Sequence, residues 1–94
     1  MHISNRFALH NQLSRHAVTR MQQRSIPPII VSLLLELTDP VPAGGGCELH
    51  RFNADSWAEA QRVLGSRARK LDRFRNAYVI VAPDGTVVTA ARLH

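Results

Sequence analysis

Apolar and polar positions alternate along this chain with two periods, and the points where the period changes mark its elements. In the first block Ala17, Val18, Met21 and Ser25 share one arc of a helical wheel, with His16, Arg20 and Arg24 in a row four residues apart along its border. That spacing predicts a helix over about 13–24, opened by Asn11 or Ser14 as cap. The run Ser25-Ile26-Pro27-Pro28 breaks it, and proline at the head of the next block favours a second helix over 28–37, polar only at Ser32 and Glu36. Asp39-Pro40, Pro42 and the glycines at 44–46 read as a loop; Cys47 to Phe52 alternate as a strand does.

From Asp55 or Ser56 the helical period returns, with Ser56 and Glu59 at capping-box spacing. Trp57, Ala60, Val63, Leu64, Ala68, Leu71 and Phe74 fall on one arc, while Arg62, Arg69 and Arg73 fall opposite. This predicts a continuous rod over 56–74 carrying an arginine ridge, with a break at Gly65 as the alternative. The chain ends in β-branched runs around Pro83-Asp84-Gly85, a hairpin apolar on both faces and therefore expected at the centre of a small sheet with helices on at least one side. The class is α+β: N-terminal helices packed on a small antiparallel sheet that ends in a C-terminal hairpin.

Composition narrows the function classes. The 94 residues suit one domain, with 1–12 expected as a flexible lead-in, and 45% hydrophobic content excludes a disordered chain. No apolar run approaches the ~20 residues of a membrane span, no secretory core precedes residue 13, and a single cysteine, Cys47, cannot form an internal disulfide, so a cytoplasmic location is expected. Metal and cofactor chemistry is not expected: Cys47-x-x-His50 supplies two ligands only, His2, His10 and His94 have no completing spacing, and the triple glycine lacks the Lys-Ser/Thr of a phosphate loop. Twelve basic residues against seven acidic ones give a formal charge of +5, which points to RNA or another polyanion as partner; arginine-rich coding in the source genome is the plain alternative.

Candidate chemistry gathers on His16, Arg20 and Arg24. Guanidinium groups match phosphate oxygens bidentately and imidazole moves protons near neutral pH, so the row suits a phosphate-handling site. The alternative is a basic helix whose stems cover the core edge while the heads reach into water. Tyr78, Phe52, Phe74 and Trp57 fall on apolar faces, and no base-stacking platform is expected.

The run His16-Ala17-x-x-Arg20-Met21-x-x-Arg24-x-Ile26, joined to a terminal hairpin with Asp84-Gly85-x-Val87-Val88-Thr89, resembles a family of small bacterial proteins of unknown function. That family in turn resembles the barnase and RelE-like superfamily of metal-independent ribonucleases, many of them toxins. The resemblance implies an RNA-binding or RNA-cleaving protein, as a cleaver a metal-independent endoribonuclease toxin with an acidic antitoxin-like partner, and it carries roles onto His16, Arg20, Arg24 and Thr89. Metal-free cleavage needs a base, an acid and cations for the phosphorane. His16 would be one proton carrier, Arg20 and Arg24 the clamp, Thr89 a phosphate-orienting hydroxyl and His50 the best candidate for the second proton carrier; Arg62, Arg69 and Arg73 would be auxiliary phosphate contacts. The rival reading is a non-catalytic basic module that binds nucleic acid or an acidic protein. Either way, the row on the first helix is expected to converge on a cavity roofed by the terminal hairpin.

Overall fold

The computed structural model describes residues 12–93. The expected lead-in lies almost wholly outside the described residues, as do Asn11, His2, His10 and His94.

Ser14 caps the first helix, α1 (Arg15–Gln23), by accepting from the Ala17 amide at 3.0 Å. Its own amide donates to the Val87 carbonyl at 2.9 Å and its hydroxyl to the Val88 carbonyl at 3.3 Å, so one residue both starts the helix and ties it to the last strand. Leu13, expected to be helical, instead forms a parallel bridge with Val87. At the other end Ser25 takes a left-handed φ of 53°, its amide reaches the Gln22 carbonyl, and the Ile26 amide reaches the Met21 carbonyl at 2.9 Å. This is a Schellman motif, with buried Met21 and Ile26 as its hydrophobic contact. Arg24 is left at the cap, where its side chain departs from the helix axis toward the sheet.

The second helix, α2 (Pro28–Leu37), has the predicted limits. Ile30, Val31, Leu33 and Leu34 are wholly buried, and Ser32, expected on a wet stripe, is buried with them. The segment expected as a loop contains a strand, β1 (Val41–Gly44), paired antiparallel with β2 (Cys47–Arg51). Gly45 and Gly46 supply the two positive φ angles of a two-residue hairpin turn, and a Cβ at Gly46 would lie 3.0 Å from Pro83 Cγ. Every residue of β1 is exposed, so it carried no alternation to be read.

Over 56–74 the continuous rod gives way to the alternative, a break at Gly65. α3 (Ala54–Leu64) starts at an Asn53 cap that exchanges bonds with Ser56 and stops at Gly65, whose φ of 58° and ψ of −126° lie in a region closed to other residues. Short 3-10 turns follow at Gly65–Arg67 and Asp72–Asn76. No atom within 4 Å would meet a Cβ at Gly65, so conformation alone demands glycine there. Gly65→Ala should therefore lower stability by about 1–3 kcal/mol, read as a lower urea midpoint; an unchanged or higher midpoint would mean that the helix runs on through this position.

β3 (Ala77–Val81) and β4 (Val87–Arg92) complete an antiparallel sheet in the order β1-β2-β3-β4. Only β3 of the terminal hairpin is interior; β4 is the outer strand, contrary to the expectation of a central hairpin. Between them, the Asp84 carboxylate accepts from the Thr86 amide at 2.9 Å, a bond that holds its pKa below the usual carboxylate range. Ala77, Val79, Val81 and Ala90 face the helices and join one core with Ala17, Met21, Ile30, Leu34 and Phe74. α1 packs along β4 and α2 across β2 and β3. Among the described residues no helix is long and apolar enough to cross a membrane.

Candidate anion-binding site

Arginines from three parts of the chain are linked where α1 ends and β4 ends: Arg24 and Arg92 line one cavity, and Arg92 and Arg73 share one aromatic ring. Arg24, released from α1 by the Schellman turn, donates from Nη1 to the Ala90 carbonyl at 3.3 Å, covering an edge group of β4 that no strand pairs. Arg92, two residues on, donates from Nε to Asn76 Oδ1 at 3.3 Å, and Asn76 donates from Nδ2 to the Leu93 carbonyl at 2.5 Å. Arg24, Asn76, Arg92 and Leu93 together line a cavity of about 310 Å³.

Phe74 organises this corner. Its ring is wholly buried; the Arg73 guanidinium carbon lies 4.8 Å from the ring centre and that of Arg92 5.7 Å. Both charges are thus held against one aromatic side chain by cation–π attraction. Ending α3 at Gly65 makes this possible, because the 3-10 turn over Asp72–Asn76 buries Phe74 and leaves Arg73 on the surface beside it.

No carboxylate of the described residues neutralises these guanidinium groups. Between described residues the one ion pair joins Arg62 to Glu59 on α3. Among the described residues Arg24, Arg73 and Arg92 have no ion-pair partner, although like charges brought together disfavour the folded chain. Comparison with protein-family models, curated proteins and solved structures returns no match. What the corner can do follows from its own chemistry: planar donors with free N–H groups beside an open cavity are suited to the oxygens of a phosphate.

The residues expected from sequence are distributed around this corner and away from it. His16 is exposed on α1, and Arg20 donates from Nε to its Nε2 at 3.4 Å while Nη1 donates to Gln23 at 3.0 Å. The first two members of the row are thus linked to each other, whereas the third, Arg24, joins Arg92 instead. The terminal hairpin does not roof the row; β4 flanks it. Thr89 lies on the sheet face turned away from the helices, opposite Ile80. Arg62 is occupied by Glu59, and Arg69 lies with Gln61, Ala68 and Asp72 on the outer side of the turn after α3.

His50 stands apart from all of them. It is buried, paired with Val79 in the sheet, and its Nδ1 lies 2.9 Å from Thr38 Oγ1. The Thr38 hydroxyl spends its single proton on the Leu34 carbonyl at 2.6 Å, so the imidazole must be the donor and carries its proton on Nδ1. The bond ties β2 to the end of α2, a structural task. Arg92, Asn76 and Phe74 are the site residues that sequence reasoning passed over. The signal for Arg92 was present as a lone charge closing an otherwise apolar strand; Asn76 offered none. Among the described residues no group of three or more His, Cys, Asp or Glu side chains is placed to hold a metal.

Proposed function

We propose that the protein binds RNA by its phosphates, with Arg24, Arg73 and Arg92 as the principal contacts and Arg20 and His16 extending the charge along α1. The observation that carries this reading is that Arg24 and Arg92 line one cavity with Asn76 while Arg92 shares the Phe74 ring with Arg73, with no ion-pair partner for any of the three among the described residues. The net charge of +5 and the resemblance of the α1 motif to a ribonuclease-like family favour RNA among polyanions. Binding is preferred to cleavage because proton transfer to and from the 2′ and 5′ oxygens needs two carriers. Among the described residues His16 is the one exposed imidazole, while His50 is enclosed beneath the sheet.

A short fluorescent RNA should be retarded by the protein, with an affinity that falls steeply as salt rises, and should be recovered whole. Absence of binding even at low salt, where +5 acts over the longest range, would remove the proposal. A 2′,3′-cyclic phosphate end formed by the wild type and not by His16→Ala would replace binding with catalysis.

A further inference from the structure

Among the described residues the helices and the core occupy one side of the sheet, and the other side is largely apolar without being part of that core. Strand alternation places Val41, Leu49, Ile80 and Thr89 in one cross-strand row and Arg51, Tyr78 and Ala91 in the next. Val79, Val81 and Ala90 face the core, so Tyr78 and Ile80 face away from it. The only acidic residue in the four strands is Glu48, which alternates onto the side of His50.

Tyr78 is half-buried, and among the described residues neither its hydroxyl nor the guanidinium of exposed Arg51 has a hydrogen-bond or ion-pair partner. Tyr78 is paired across the ladder with Ala91, the residue between Ala90, whose carbonyl Arg24 holds, and Arg92. Antiparallel partners lie about 5 Å apart. The arginine corner and the tyrosine therefore flank β4 from its two sides, one edge apart.

Building on the RNA reading above, the geometry points to Tyr78, with Arg51 beside it, as a stacking platform for a base of single-stranded RNA whose phosphates are held by Arg24 and Arg92 around the edge of β4. Stacking uses the flat face of any base and is sequence-tolerant, and a guanidinium next to the ring adds cation–π attraction and a phosphate contact. A duplex cannot use such a platform because its bases are already stacked. The protein should consequently prefer single strands.

The test compares short single-stranded and duplex RNA of equal length, using an oligonucleotide with 2-aminopurine to report stacking. Wild type should bind the single strand more tightly and change the probe's fluorescence. Tyr78→Ala should lose roughly 5- to 100-fold for the single strand, lose the fluorescence change, leave duplex affinity and salt dependence unaltered, and Tyr78→Phe should restore both. Arg51→Gln, at an exposed position, should weaken single-strand binding several-fold with an unchanged melting temperature. If wild type binds RNA but none of these variants changes the preference or the fluorescence, the platform is wrong and the phosphate site stands. If wild type binds no RNA, the RNA reading itself has failed. A dimer in sedimentation that Tyr78→Ala converts to monomer would assign the face to a second copy of the chain and overturn the inference.

Discussion

Changing Arg24 and Arg92 together to glutamine is expected to cut the affinity for single-stranded RNA at least tenfold at low salt, and to reduce the steepness of log affinity against log salt by about 1.4. Each phosphate contact on a single strand contributes about 0.7 to that slope through counterion release, and two are removed. Glutamine carries an N–H donor at the position of the arginine Nε, so the bond of Arg92 to Asn76 Oδ1 can survive, while the bond from Arg24 Nη1 to the Ala90 carbonyl is lost with its charge. The control is Arg62→Gln with Arg69→Gln, which also lowers the formal charge from +5 by two but acts where Glu59 and Asp72 already sit close by. If binding depends on the corner, the first pair of changes is severe and the second mild, as salt titrations of the two double variants would show. Equal losses would mean that RNA senses only the overall charge, and the site would have no special standing.

The same comparison explains why the site was only half legible. His16, Arg20 and Arg24 could be read as a row because a helix brings residues four apart together by its own geometry. Their partners could not be read, because Arg92, Asn76 and Phe74 reach the corner through tertiary packing over a long sequence separation. His50 shows the converse. An alternating strand told which residues share a face but not which face the helices would cover, and Thr38, the residue that occupies the imidazole, follows α2 in a stretch with no periodic signal of its own.

In the fold, elements with strong burial were the legible ones. α2 and the terminal hairpin bury apolar residues at their proper periods; α2 keeps its predicted limits, and the two strands of the hairpin lie on either side of the expected Pro83-Asp84-Gly85 turn. β1 buries nothing, so only its glycine turn could have announced it. The break in α3 was hidden for a different reason: Leu71 and Phe74 keep the helical phase set by Trp57 and Leu64, so the wheel remained consistent across a glycine that redirects the chain. Both faces of the hairpin read as apolar, so the pattern allowed helices on one side or two; the described helices lie on one side, and Tyr78 and Ile80 point to the other.

Phe74→Ala should be the most damaging single change in the core, costing about 3–5 kcal/mol. The ring is wholly buried at the junction of the turn after α3 with the sheet, and it also supports Arg73 and Arg92, so truncation leaves a cavity beneath two mutually repelling charges. A domain of this size commonly has about 5–15 kcal/mol in total and moves roughly 4–8 °C in melting temperature per kcal/mol. Thermal unfolding followed by circular dichroism should therefore shift down by about 12 °C or more. Phe74→Leu fills much of the space and should cost less, but it removes the aromatic face on which both guanidinium groups rest. It should fold and yet bind RNA more weakly than wild type at equal net charge. A Phe74→Leu protein with unchanged RNA affinity would show that the ring matters to the core alone, and that Arg73 and Arg92 find their positions without it.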